Sequence, residues 1–290
     1  MNSLSLVKLP PLMERTSGNA EIVIGLIDGP VAMEHPDFNS ENIHAITGDL
    51  RGSCISSHSV ACLHGTFVAG ILSGKRGSNA PAICPNCTLL VRPIFAETTS
   101  ENGAMPSATL KELVEAIFDC ISAGARVLNL SAALVQPSIK SGYELEEALD
   151  YAAKRGVILV AASGNQGTLG NSAITRHSWV IPVVAYNQFG RPEGLSNLGV
   201  SIGRRGLGAP GENIISLGAN SQPLTFRGTS AAAPFVTGTI ALLWSEFPSA
   251  SPAEVKYAVS HSVWRRNTVV PPLLDAWSAY QTMLTVHTRR

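Results

Sequence analysis

The chain has 290 residues, of which 45% are hydrophobic, so one α/β domain with a sizeable core is the leading interpretation. Its 21 Lys and Arg residues balance 21 Asp and Glu residues, which excludes a long-range field that would gather nucleic acid or an anionic membrane. No apolar run is long enough to span a bilayer, and residues 1–11 lack the pattern of a secretory signal. We therefore expect a cytoplasmic protein.

Short apolar segments alternate with helical patterns along the chain. The segments typical of buried strands cover residues 21–27, 88–94, 125–130, 157–161 and 180–185. Apolar residues at helical spacing predict helices over 109–123 and 144–155, followed by helices from about 230 to 247 and from Ser251. Strands that are apolar on both faces need helices on both sides, so the pattern predicts a three-layer α/β fold with a mostly parallel central sheet. Ligand sites of such folds lie at the carboxyl ends of strands.

Two polar residues stand where a catalytic group could be presented. Asp28 follows the first predicted strand and precedes a Gly-Pro turn; the alternative is an aspartate that binds its own backbone in the turn. His64 begins His-Gly-Thr-Phe-Val-Ala-Gly, which indicates a helix start that faces open space and packs closely on another segment. A single histidine is more often structural than catalytic, but this one belongs to a patterned segment.

Two further residues suit the chemistry of acyl transfer. Ser230 precedes a helix rich in small residues, and although serine is a favoured helix cap, backbone N–H groups at that position would also stabilise an oxyanion. Asn165 ends a predicted strand, and its amide could donate to the same oxyanion; an ordinary Asn-Gln-Gly turn is the alternative.

Four sequence blocks resemble the signature of the subtilisin-like serine peptidases. They are Gly25-Leu-Ile-Asp-Gly-Pro-Val31, His64-Gly-Thr-Phe-Val-Ala-Gly70, Ala161-Ala-Ser-Gly-Asn165 and Gly228-Thr-Ser-Ala-Ala-Ala-Pro234. Their Asp, His and Ser follow one another in the subtilisin order. The resemblance implies that His64 takes the proton of Ser230 while Asp28 orients the imidazole, with Asn165 in the oxyanion hole.

The same resemblance implies a substrate site for an extended peptide, which would pair with the backbone of the enzyme. The residues expected to line the pocket for the residue before the scissile bond are Leu130, Ser131, Ala132, Ala133, Ala162, Ser163 and Gly164. Two features depart from the family pattern: Ala132-Ala133 replaces the usual glycine pair, and Phe67 stands where a second histidine is common.

We expect one peptidase domain over residues 1–290, with an N-terminal extension over 1–18 and a catalytic core over 19–284. The sequence has no convincing calcium-site pattern, and we expect no cofactor. Because the chain begins only 27 residues before Asp28, we expect activity without removal of an inhibitory propeptide. The oligomeric state has no signature in the sequence.

A narrower resemblance concerns the substrate. The Asp28-Gly-Pro-Val31 turn, His35-Pro-Asp-Phe38 and Val91-Arg-Pro-Ile-Phe95 are similar to the N-terminal proteases of cyanobactin maturation, which cut a precursor peptide to release its leader. A general intracellular subtilisin is the close alternative, and a pseudoprotease that binds peptides without cutting them is another. A transpeptidase is less favoured, because the macrocyclising relatives carry a helical cap between Asp and His, where this chain has only 35 residues.

The five cysteines are Cys54, Cys62, Cys84, Cys87 and Cys120. An odd number in a chain of this size argues against a secreted disulfide framework. Simple loop or core thiols are the leading interpretation, local Cys54–Cys62 or Cys84–Cys87 disulfides come next, and a four-sulfur zinc site is the least favoured alternative.

Overall fold

A seven-stranded parallel sheet lies at the centre of the fold in the computed structural model, which describes residues 2–97, 107–131, 139–261 and 268–287. Its strands are β1 (Val23–Asp28), β2 (Ile43–Ala45), β3 (Thr88–Pro93), β4 (Val127–Leu130), β5 (Ile158–Ala162), β6 (Val180–Tyr186) and β7 (Leu207–Pro210). They are arranged in the order β2-β3-β1-β4-β5-β6-β7. Two further strands, β8 (Ile214–Leu217) and β9 (Pro223–Phe226), form an antiparallel hairpin.

Helices cover the sheet, and the expected α/β architecture is thereby confirmed. The helices are α1 (Ser3–Leu6), α2 (Pro10–Arg15), α3 (Val60–Ser73), α4 (Leu110–Ser122), α5 (Ile139–Lys154), α6 (Ala173–Arg176), α7 (Val200–Arg205), α8 (Thr229–Glu246), α9 (Pro252–His261) and α10 (Ala276–His287). In the part of the chain that the structure describes, none of the helices is long and apolar enough to cross a membrane.

The five predicted strands are β1 and β3 to β6, each within two residues of its expected bounds. All residues of β4, β5 and β6 are buried, as strands covered on both faces must be. The short edge strands β2 and β7 and the β8–β9 hairpin were not predicted. Strand β9, for example, has no buried residue and so lacks the apolar run that marks a central strand.

Strand β1 lies between β3 and β4, and the pairing register aligns the carboxyl ends of the three strands. Asp28, the last residue of β1, pairs with Pro93 of β3, and Ile27 pairs with Leu130 of β4. Parallel strands present their carboxyl ends at one edge of a sheet, so Asp28, Leu130 and Ala162 reach the same edge. The candidate functional site lies there.

Helix α8 is buried on all sides and carries the candidate nucleophile at its start. Every residue from Ala231 to Trp244 is buried, and the helix packs against β4, β5, β6 and β7. A helix that is apolar all round belongs to the interior of a protein. The sheet and the helix therefore fix the position of Ser230, in the first turn of α8.

Helix α3 begins at Val60, four residues earlier than the sequence suggested. His64 consequently lies in the second turn and is buried, with 8% of its surface exposed, so the expected exposed histidine at a helix start is wrong. The close packing expected around it is present, because a Cβ at Gly65 would lie 2.4 Å from the backbone oxygen of Pro30 and 2.5 Å from that of Gly29.

Replacing Gly65 by alanine is expected to destabilise the protein by roughly 1–3 kcal/mol, because the added methyl group meets backbone atoms, which can move only if the chain itself shifts. It should also lower activity, since the turn after Asp28 would move away from α3. Gly142 of α5 is a matched control: a Cβ there meets nothing within 4 Å. Gly142→Ala should stabilise the helix by about 0.5–1 kcal/mol. Denaturant unfolding of both variants checks the pair, and equal effects would contradict the packing argument.

The cysteines correct one expectation. Cys54 and Cys62 form a disulfide, with their Cα atoms 5.6 Å apart, whereas free thiols were the leading interpretation. Cys84, Cys87 and Cys120 are free and buried, as expected. The backbone N–H of Cys87 donates to the backbone oxygen of Cys84 at 3.0 Å, and Cys87 lies beside Gly18. The four-sulfur zinc alternative is therefore not formed, since two of its sulfurs are bonded to each other.

Candidate active site

Asp28, His64 and Ser230 form a continuous chain of hydrogen bonds. The distance between His64 Nδ1 and Asp28 Oδ1 is 2.7 Å, and the distance between His64 Nε2 and Ser230 Oγ is 2.9 Å. The three side chains come from the end of β1, from α3 and from the start of α8, so tertiary packing brings together residues far apart in the sequence. This is the arrangement in which a base can remove the proton of a hydroxyl nucleophile.

The carboxylate of Asp28 sets the tautomer of His64. Asp28 is fully buried, and its Oδ1 also accepts a hydrogen bond from the backbone N–H of Gly29 at 2.6 Å. A carboxylate can only accept here, so the proton of His64 lies on Nδ1. Nε2 is then left as an acceptor for the Ser230 hydroxyl, which makes it the basic atom of the site.

Burial and the neighbouring charge shift the pKa of His64 in opposite directions. Burial lowers the pKa of its imidazole, while the charge of Asp28 and the hydrogen bond to that carboxylate raise it, and the net pKa lies above the ordinary value. Phe226 contributes to the enclosure, because its ring lies 5.7 Å from the imidazole and 5.0 Å from the ring of Phe67. The Asp28 carboxylate therefore makes the histidine a stronger base than its burial alone would allow.

The side-chain amide of Asn165 is oriented by Thr229. Asn165 Oδ1 accepts hydrogen bonds from the backbone N–H of Thr229 at 2.9 Å and from its hydroxyl at 3.0 Å. With the oxygen engaged on that side, the amide NH₂ is directed away from Thr229. A Cβ at Gly228, whose φ is +126°, would lie only 2.9 Å from Asn165 Nδ2, so this approach requires glycine.

The predicted subsite residues lie at the carboxyl ends of β4 and β5, except Ala132 and Ala133, which fall outside the described residues. The side chain of Leu130 is buried in the core cluster that includes Leu128 and Ile117, so only its backbone could meet a substrate. Ser131 is half-buried, while Ala162 and Ser163 are almost fully buried. Gly164 has φ +102°, and a Cβ there would lie 2.3 Å from Asn197 Nδ2.

Sequence reasoning did not single out three residues that support this site. They are Thr229, which anchors Asn165; Phe226, which packs on His64; and Asn197. Asn197 Oδ1 accepts from the backbone N–H groups of Gln166 and Thr168, and so fixes the loop after Asn165. Thr229 directly precedes Ser230 and Phe226 lies four residues before it, so both could have been noticed, whereas an isolated asparagine 32 residues beyond Asn165 carries no local signal.

The site combines a parallel α/β sheet with Asp, His and Ser side chains that are hydrogen-bonded to one another at its carboxyl edge. Together with the chain order Asp, His, Ser, this arrangement is typical of subtilisin-like serine proteases. The chain belongs to the subtilase family: the family model Peptidase_S8 matches residues 19–276. Among characterised relatives, the thermophilic serine proteinase of Bacillus sp. (strain AK1) is 31% identical over 80% of this chain. The match covers 54% of that relative, so the chain spans about half of its length.

Solved structures confirm the narrower resemblance to cyanobactin maturation proteases. A mutant of the protease domain of PatA is 27% identical and has a TM-score of 0.83, with 93% of this chain and 97% of that chain covered. The prenylagaramide maturation protease PagA is 26% identical and has a TM-score of 0.81, with 95% and 98% covered. These likenesses extend over almost the whole chain rather than over the signature blocks alone.

Proposed function

We propose that the protein is a serine endopeptidase that cleaves a ribosomal precursor peptide to remove its leader. The observation that carries the peptidase part is the continuous hydrogen-bond chain from Asp28 through His64 to Ser230. The likeness to the maturation proteases PatA and PagA supports the precursor as substrate. A cytoplasmic location, where ribosomal precursors are made, and a single catalytic core over 19–284 belong to the same proposal.

In the proposed mechanism, Ser230 Oγ attacks the carbonyl carbon of the scissile bond while His64 Nε2 takes its proton. The resulting imidazolium is stabilised by Asp28, which is already within 2.7 Å of Nδ1. His64 then returns the proton to the leaving amine, and an acyl-enzyme remains on Ser230. Water attacks this ester by the same route, with His64 again acting as the base, and releases the acid product.

The oxyanion of the tetrahedral intermediate would form between Asn165 and the start of α8. The amide of Asn165 supplies one donor, and backbone N–H groups at the first turn of the helix supply another, with the helix dipole adding to the attraction. Thr229 prevents the amide from rotating, since both of its donors engage Asn165 Oδ1. The donor is thus oriented before the charge develops.

Asn165→Leu is expected to lower kcat by about 10²- to 10³-fold while leaving KM nearly unchanged, because the lost donor acts only on the developing charge. Steady-state kinetics on a cleaved peptide would separate the two constants. Asn197→Leu is the comparison, since it loosens the following loop without removing an oxyanion donor. An effect of Asn165→Leu on KM alone would contradict the assigned role.

Substrate binding would use the strand ends that flank the nucleophile. An extended peptide would pair with the backbone at the ends of β4 and β5, along Leu130 to Ala133 and Ala162 to Gly164. The buried side chain of Leu130 makes its contribution a backbone one. The residue before the scissile bond would lie between these two segments.

The experiment that tests the proposal compares a matched precursor peptide with casein. The purified protein should cut one bond in the precursor, at the junction of leader and core, and leave casein largely intact over the same period. Mass spectrometry identifies the bond, and Ser230→Ala serves as the inactive control. Broad digestion of casein would support a general protease and contradict the precursor-specific role, whereas an intact precursor with no fluorophosphonate adduct would contradict the peptidase role.

A further inference from the structure

The Cys54–Cys62 disulfide lies beside an acidic side chain and close to the candidate active site. Cys62 is in the first turn of α3, two residues before His64. Cys54 follows Ser53, which forms a bridge with Val31 just after the Asp28 turn. The disulfide therefore ties the segment before α3 to the helix that carries the candidate base.

The third member of the cluster is Glu97, four residues after β3. One of its carboxylate oxygens accepts from the N–H of Ile55 at 2.8 Å, and the other accepts from the N–H of Ser56 at 2.9 Å. These two bonds hold the carboxylate against the segment that begins at Cys54. The sulfur atoms of Cys54 and Cys62 and a carboxylate oxygen of Glu97 all lie within 4.8 Å of one another.

Reduction would change the chemistry of this cluster. A phosphine such as TCEP gives two electrons to the S–S bond and becomes a phosphine oxide with an oxygen from water, whose two protons go to the two sulfurs. In a cell, a dithiol would supply both the two electrons and the two protons, and would itself become a disulfide. Two thiols then face one fixed carboxylate, and all three groups can bind a divalent cation once the thiols lose their protons.

We propose that the reduced protein binds one Zn²⁺ through Cys54, Cys62 and Glu97. Zinc suits the donors, because it takes thiolate sulfur at about 2.3 Å and carboxylate oxygen at about 2.0–2.2 Å. The Cα separation of 5.6 Å lets both sulfurs approach one ion after the S–S bond opens. The hydrogen bonds from Ile55 and Ser56 play the part of the outer contacts that orient a metal-bound carboxylate.

The metal would replace the disulfide as the cross-link between the 54–56 segment and α3. Of the three ligands, Cys62 is buried while Cys54 and Glu97 are half-buried, so an ion can enter from the surface and remain shielded on one side. Three protein ligands leave a fourth position for water. Reduction of the disulfide in the presence of zinc should therefore keep the start of α3 attached to the 54–56 segment. Reduction without metal should leave the two segments without a cross-link.

The test uses the full chain with Ser230→Ala, so that self-digestion does not interfere and the result does not depend on peptidase activity. The protein is reduced with TCEP, freed of metal, and titrated with Zn²⁺. One ion per chain is expected to bind, and the melting temperature should rise on binding. The same chain with its disulfide intact should bind no zinc at this site, which provides a control that needs no substitution.

Variants assign the ligands. Cys54→Ser should abolish stoichiometric binding by the reduced chain, whereas Cys84→Ser, which alters the other closely spaced pair, should leave it intact. Glu97→Gln keeps an acceptor for one backbone N–H but loses the charge, and should weaken binding by at least about tenfold. Binding that survives Cys54→Ser, or that is lost in Cys84→Ser instead, would overturn the proposal, as would a reduced parent chain that takes up no zinc.

Discussion

Replacing Ser230 by alanine is expected to reduce kcat for peptide hydrolysis by about 10⁶-fold, the order found for removal of the nucleophile in subtilisin, which belongs to the same family. The reason is the loss of the atom that lies 2.9 Å from His64 Nε2 and forms the acyl-enzyme. Folding should be retained, because the methyl group of alanine fits a helix start whose neighbours are also small. Single-turnover cleavage of a labelled peptide measures the loss.

Ser245→Ala is the matched control for this substitution. Ser245 lies in the same helix, but its hydroxyl donates to the backbone oxygen of Ala241 and takes no part in the site. Its activity should equal that of the parent chain. A fluorophosphonate probe should label the parent and Ser245→Ala once each and leave Ser230→Ala unlabelled, and a labelled Ser230→Ala chain would show that another residue is the nucleophile.

Asp28→Asn is expected to lower kcat by about 10⁴-fold, because an amide in place of the carboxylate no longer holds the proton on Nδ1 and no longer stabilises the imidazolium. The pH profile should change as well. His64 acts as a base only when neutral, so activity falls as the pH drops through its pKa. In the parent chain Asp28 raises that pKa above its ordinary value, against the lowering effect of burial.

Removing the carboxylate leaves burial as the dominant influence, so the acid limb of kcat/KM should move to lower pH in Asp28→Asn. Asp37→Asn is the control, since Asp37 acts on the pKa of His35 rather than on that of His64. It should change neither the rate nor the acid limb. An acid limb at the same pH in Asp28→Asn and the parent chain would mean that the limb reports a group other than His64.

The central strands and long helices could be predicted because their signal is local. A strand buried on both faces must be apolar throughout, as β5 and β6 are, and a helix such as α4 repeats its apolar residues at 3.6-residue spacing. Edge strands such as β2 and β9 pair on one side and are largely exposed, so their sequences carry no such mark. The start of α3 at Val60 was missed, although Ser59 before it is a residue type that favours the N-cap position.

By itself the sequence determined the α/β alternation, the four signature blocks and hence the candidate catalytic residues. The blocks are visible in the sequence because a tight turn, a close helix contact and a helix start each require particular residue types in consecutive positions. The tertiary structure decided what depends on distant partners. Examples are the burial and raised pKa of His64 beside Asp28, the orientation of Asn165 by Thr229, and the pairing of Cys54 with Cys62 next to Glu97. The first two are contacts between segments whose approach is set by the packing of the sheet and its helices, which no local pattern encodes. For the third, the sequence offered the Cys54–Cys62 disulfide only as an alternative, and the structure selected it.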